Sequence, residues 1–348
     1  MAGRATERDL AAEAVELVHR LLGARVEALE WPAGRGRESL RARLPGGSVI
    51  VTRRRSARRA ELESFVLRAL RARNAPVPAL LAEDGHWLIQ EDLGGLRLSV
   101  AINGGDPPAG ERALDAALAA LGRIHEAGRA AGLEDRVVSL GLERDWLLAF
   151  ADRPRRLGDH LGLPAPEVEV ERLLPLLTPE RPLLVKWDAR PANAALGDLN
   201  PDEEQLDATA SPPPTVGWYD WEHCGCRDPL NDMAWLLCDE FVPFWPEIET
   251  RLIERHLFTF SQGAPAADAL VALRCFGVLH MTQRLALIVD RKGDGPWWRW
   301  SRCLERDQIG VTAQAAARLC QRAALWAEEA PPLARLVPWY RALGERLS

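Results

Sequence analysis

The apolar residues divide this chain into a short strand-rich beginning and a long helical remainder. Thr6 and Asp9 are spaced as a capping box. Behind them Leu10, Ala14, Leu17, Val18 and Leu21 recur on one helical face, predicting a first helix that ends near Gly23. From Val26 to Arg54 the period shortens to alternating runs broken by W-P-A-G-R-G-R and P-G-G, which predicts three antiparallel strands. A helix is expected over about 58–73. The segment 76–95, P-V-P-A-L-L-A-E-D-G-H-W-L-I-Q-E-D-L-G-G, reads as two strands turning at Asp84-Gly85 and stopping at Gly94-Gly95.

Beyond Pro107 the helical period takes over. Leu114, Leu118, Leu121 and Ile124 share a face with His125, which reads as a helix-end or core histidine. Residues 141–180 mix helical and proline-rich texture. After Asp232, apolar faces at Trp235–Leu237, Leu252–Phe260, Ala269–Leu287 and Ala313–Trp326 predict helices to the end. Arg274, His280 and Arg284 interrupt the longest apolar run, so it reads as a core helix, and no membrane association is expected. Between two short apolar runs lies 197–214, rich in acid and proline, expected to be a solvated loop without fixed structure.

With 348 residues, 47% of them hydrophobic and 27% charged, the chain is globular. Its net charge of −6 argues against a nucleic-acid partner. The six cysteines form no C-x-x-C pair and follow no leader-like segment, so reduced thiols and a cytoplasmic location are expected, Cys224 and Cys226 included. Lys186 and Lys292 are the only lysines; any role a lysine would fill elsewhere falls to arginine.

The chemistry concentrates between Leu183 and Asp232. Asp188 and Asn193 stand five residues apart in D-A-R-P-A-N, and Asp220 closes an apolar run in W-Y-D-W-E. Two carboxylates and an amide at the ends of adjacent strands suit the gripping of Mg²⁺ and a nucleoside triphosphate beside a hydroxyl that must lose its proton. This D-x-x-x-x-N spacing, with D-W-E and then D-P-L-N-D-M-A, resembles the aminoglycoside phosphotransferase and choline kinase branch of the protein-kinase-like folds.

The resemblance implies an α+β, two-lobed fold. Residues 1–94 would form an antiparallel-sheet lobe and 95–348 a mainly helical lobe. It implies ATP or GTP as donor and a small-molecule hydroxyl as acceptor. Asp188 would be the base, Arg190 would face the transferred phosphate, and Mg²⁺ would sit on Asn193 and Asp220, with Glu222 as a further carboxylate. Asp232 would tie down the backbone of the catalytic loop. The main chain at Gln90, Glu91, Asp92 and Leu93 would meet the nucleotide base. Gly34 and Gly36 form either a plain turn or a loop over phosphates.

Two departures stand out. The family's strand lysine is missing, and Arg53 is its stand-in opposite Glu63, unless Arg53, Arg54 and Arg55 are simply a solvated strand end. The loop opens Lys186-Trp187-Asp188 where the family has H-G-D. Asp239, Glu240, Glu247 and Glu249 are compatible with a cationic acceptor. Trp297, Trp298 and Trp300 either wall a cleft or pack between helices. A nucleotide-binding pseudokinase scaffold and a nucleotidyl transferase are the rival readings.

Overall fold

The structure is a computed structural model that describes residues 6–32, 34, 38–197 and 214–348. Helix α1 (Glu7–Leu22) carries the predicted capping box between Thr6 and Asp9 and ends on Gly23 in the left-handed conformation. Strands β1 (Ala28–Glu30), β2 (Ser39–Leu44) and β3 (Gly47–Arg53) follow, then α2 (Ala57–Arg71), β4 (Leu80–Asp84) and β5 (Trp87–Glu91). The five strands form one antiparallel sheet in the order β1-β2-β3-β5-β4.

Alternation along β3 and β5 gives this sheet two uses. Val49, Val51, Trp87 and Ile89 bury one face together with Leu10, Ala14, Leu17 and Val18 of α1. Ile50, Thr52 and Gln90 have the opposite parity and line a cavity between the sheet and the helical part.

The chain then passes through β6 (Leu96–Arg97) into α3 (Leu98–Gly104) and α4 (Pro107–Ala130). Next come α5 (Arg144–Ala151), α6 (Arg153–Leu161) and α7 (Val170–Leu177). Four short strands carry the site: β7 (Leu183–Val185), β8 (Ala194–Gly197), β9 (Thr215–Trp218) and β10 (Gly225–Arg227). They form the antiparallel pair β7–β10 and the sheet β6-β8-β9. The expected solvated loop at 197–214 lies almost wholly outside the described residues.

Helices α8 (Leu230–Leu237), α9 (Pro246–Ser261), α10 (Ala266–Lys292), α11 (Trp300–Glu305), α12 (Ala313–Glu328) and α13 (Val337–Leu347) complete the larger part. Among the described residues α10 is the one helix long and apolar enough to cross a membrane. Its most apolar window is 67% buried against other helices, so core packing accounts for its composition. All six cysteines are buried free thiols.

Candidate active site

The site is built where the short strands end. After β7 the chain passes through Lys186, Trp187 and Asp188, and a single 3₁₀ turn at Pro191–Asn193 delivers Asn193 to the start of β8. Asn193 donates its amide to Asp188 Oδ2 at 2.8 Å and to the Asp188 carbonyl at 3.0 Å, so the five-residue spacing closes on itself. The Tyr219 N–H donates to the Asn193 carbonyl at 3.0 Å and places Asp220, just beyond β9, alongside. Lys186 joins the two segments: its buried ammonium donates to the Asp188 carbonyl at 3.0 Å and the Asp220 carbonyl at 2.9 Å.

The loop backbone is held from beneath. Buried Asp232, near the start of α8, accepts the Lys186 N–H at 2.7 Å and the Trp187 N–H at 2.8 Å, and lies 2.9 Å from His125 Nε2 on α4. That grip matters because Trp187 has φ +68°, a conformation glycine adopts freely and a bulky residue does not. Its indole is fixed among Trp146, Trp235 and Phe276, with the Arg227 guanidinium 5.2 Å from its ring centre. The space a tryptophan needs in place of the family's glycine is thus an aromatic box, and the strain persists because both backbone and ring are over-determined.

On the sheet side, the arginine paired with Glu63 is Arg54, not Arg53. Arg54 forks onto the Glu63 carboxylate at 2.5 and 2.7 Å, and its third nitrogen lies 2.8 Å from Asp220 Oδ1 and 3.5 Å from Glu222. Strand parity explains the correction. Arg53 has the parity of Val49 and Val51 and its guanidinium lies by Trp87, its cross-strand partner, so it reaches only the border of the wide cleft and not Glu63. Arg54 continues the Ile50–Thr52 face into the site. Counting alternation from Val51 would have found it.

Gln90 props the same pair, donating to Glu63 at 3.0 Å. Glu91 accepts the Ala79 N–H at 2.9 Å, and Asp92 accepts from Ser48, Arg41 and the Gly94 N–H. With Leu93 these residues line a cavity of about 350 Å³ that reaches Asn193 and Asp220. A wider cleft of about 1080 Å³ meets it at Arg54 and Asp220 and is walled by Arg190, Trp298 and Asp307. Gly34 borders that cleft near Arg306, whereas Gly36 lies outside the described residues.

Arg190 is more committed than expected. It donates to Asp239 at 2.8 Å and stands 3.7 Å from Glu240 and 4.0 Å from Asp307, while its Nη2 is buried without a hydrogen bond. The acids behind it are structural. Asp239 and Glu240 are buried on Arg190 and Arg284, and Glu249 is buried on Arg322; only Glu247 of the four is exposed. The reason for expecting a cationic acceptor is thereby removed. Trp300 packs against Phe241 and Arg318, and Trp297 lies near Lys292, while Trp298 faces the cleft.

Burial pushes the Asp220 carboxyl up, but Arg54, Lys186 and His223 outweigh it and hold the group below its ordinary 3.8. Its Oδ1 is buried without a hydrogen bond despite the nearby Arg54, and Asn193 turns its amide nitrogen to Asp188, leaving the oxygen as its remaining donor atom. This donor pair fits a hard divalent cation. Among the described residues no three His, Cys, Asp or Glu side chains gather at metal-binding distance, so such an ion would be completed by phosphate oxygens and water.

The same architecture recurs in solved structures. The GDP and kanamycin complex of APH(2")-IIIa superposes with a TM-score of 0.55 at 13% identity, over 92% of this chain and 98% of that one. A choline/ethanolamine kinase family protein from Mesorhizobium loti gives 0.55 at 17% identity, over 96% and 99%. A putative aminoglycoside phosphotransferase from Ralstonia eutropha JMP134 gives 0.53 at 15% identity, over 95% and 98%. These likenesses establish the two-lobed α+β kinase-like fold. No curated protein matches the chain at the level of sequence. The profile of the phosphotransferase enzyme family (APH) matches residues 27–270, and the chain therefore belongs to that family, whose reaction class is phosphate transfer to a hydroxyl group.

Proposed function

We propose that the protein is a small-molecule kinase moving the terminal phosphate of ATP or GTP to an acceptor hydroxyl, its lobes dividing near residue 94. The observation that carries this reading is that Asn193 and Asp220, which line the cavities meeting beside the Arg54–Glu63 pair, are tied to Asp188 through the Asn193 amide and the Lys186 ammonium. The narrower cavity suits a purine held by main-chain groups at Gln90 to Leu93, in keeping with the GDP bound by APH(2")-IIIa. Asp188 would orient the acceptor and take its proton. Arg54, anchored by Glu63, would meet the donor phosphates, and Arg190, steadied by Asp239, would face the phosphate in flight. A divalent ion, Mg²⁺ by its oxygen ligands, would lie on Asn193 and Asp220 and neutralise the phosphate charge.

Product mass tests this. Addition of one phosphate to a hydroxyl compound, lost in Asp220→Ala, is expected. A nucleotidyl adduct would overturn the reading. One contact favours a second reading: Arg54 already lies on Asp220 Oδ1, as in a scaffold that binds nucleotide without turning it over. Nucleotide binding with no transfer to any acceptor, unchanged in Asp188→Asn, would favour it.

A further inference from the structure

The wide cleft has a charge opposite to that of the whole protein. The chain carries −6, yet seven arginines and four carboxylates line this one opening. The carboxylates are largely answered from within. Asp220 and Glu222 lie on Arg54, Glu222 also takes Arg59 at 3.1 Å, and Asp307 stands 4.0 Å from Arg190. Four of the arginines, Arg53, Arg55, Arg291 and Arg306, enter no ion pair among the described residues. All four line the wide cleft and none lines the narrower cavity. Arg291 is in the last turn of α10 and Arg306 follows α11, so both come from the helical part of the chain, whereas Arg53 and Arg55 come from the end of β3 and just beyond it. The partly exposed Trp298 adds an apolar face to the same cleft.

Building on the kinase reading above, we propose that the acceptor is an anion: a hydroxyl compound bearing a carboxylate or phosphate ester, held by Arg291 and Arg306 with its less polar face on Trp298. A polycation entering here would meet guanidinium groups that no acid among the described residues pairs with, because Asp239, Glu240 and Glu249 are spent on buried arginines. Guanidinium forks match carboxylate and phosphate oxygens in pairs and lose little on desolvation, so several arginines that enter no ion pair among the described residues, gathered in one cleft, fit an anion better than any neutral compound.

The test uses the full chain loaded with Mg²⁺ and a non-hydrolysable ATP or GTP analogue, titrated calorimetrically with glucose, glucose 6-phosphate, glucuronate, glucosamine and kanamycin. At least one anionic sugar is expected to bind about tenfold or more tighter than glucose, with Arg291→Ala and Arg306→Ala each removing about tenfold of that affinity. Glucose 6-phosphate against glucuronate separates phosphate from carboxylate recognition. Tighter binding of glucosamine or kanamycin, failure of both anionic sugars to bind at millimolar concentration, or an equal loss of analogue affinity in the arginine variants would overturn the proposal. Product mass with ATP or GTP reads the kinase question separately. An anion bound tightly while no compound of any charge is phosphorylated keeps the anion site and breaks the kinase reading, whereas phosphorylated kanamycin keeps the kinase reading and breaks the anionic acceptor.

Discussion

Arg54 and Lys186 are both buried cations that touch Asp220, and each stands where the family uses a different residue. They differ in what neutralises them. Arg54 faces three carboxylates, those of Glu63, Asp220 and Glu222, and its planar fork reaches them from three nitrogens. Lys186 faces two main-chain carbonyls and stands 5.7 Å from the centre of the Trp221 ring. An arginine can take over a lysine's position where acids converge. A lysine can take over a histidine's where only neutral acceptors must be joined.

The largest effect is expected at Asp188, whose main chain Lys186 ties to that of Asp220. Asp188→Asn keeps the hydrogen-bonding shape but cannot accept the acceptor's proton, so kcat should fall by about 10²–10⁴-fold with little change in melting temperature. A near-normal kcat would remove Asp188 from the chemistry. Next comes Arg54→Met. Glu63 is fully buried, and without its partner it becomes an uncompensated charge, at a cost of about 3–5 kcal/mol in urea unfolding. Lys186→Met leaves two carbonyls instead of an unpaired charge and should cost less, about 1–2 kcal/mol, while kcat falls because Asp188 and Asp220 are no longer stapled. If Lys186→Met proved the more destabilising of the two, the contrast between acid-matched and carbonyl-matched cations would be broken.

The same contrast shows what could be read from the chain alone. The antiparallel strands, the first helix with its capping box, and the helical remainder were legible because each rests on local periodicity and turn chemistry. Asp188, Asn193 and Asp220 were legible as candidates because their spacing and strand context carry chemistry. Arg54 was misassigned by one residue: three consecutive arginines hide the strand's parity unless alternation is counted from Val51 across to Trp87. The burial of Asp239, Glu240 and Glu249 was not legible, since their partners Arg190, Arg284 and Arg322 lie 49, 44 and 73 residues away and only tertiary packing brings them together. Likewise, nothing local shows that Trp187 can sit at positive φ, because its support comes from Asp232 and from rings on α5, α8 and α10.

The smallest and sharpest test is electrostatic. Asp220 must be ionised to hold a divalent ion, and burial alone would raise its pKa. Arg54, Lys186 and His223 bring it below 3.8 instead. For a depressed carboxylate the ionised form persists above that value and is lost only as pH falls through the lowered pKa. Nucleotide binding in the presence of Mg²⁺, followed by tryptophan fluorescence, should therefore hold constant on descending through the ordinary carboxylate range and weaken only below it. Arg54 acts more strongly than Lys186 because its guanidinium lies on the carboxylate itself, whereas the ammonium reaches only the carbonyl. Lys186→Met should move the acid limb upward, and Arg54→Lys, which keeps a charge but loses the fork, should move it too if the lysine ammonium stays on Glu63 rather than Asp220. An acid limb that stays in place in Lys186→Met would show that the ammonium acts only as a mechanical tie between the two loops.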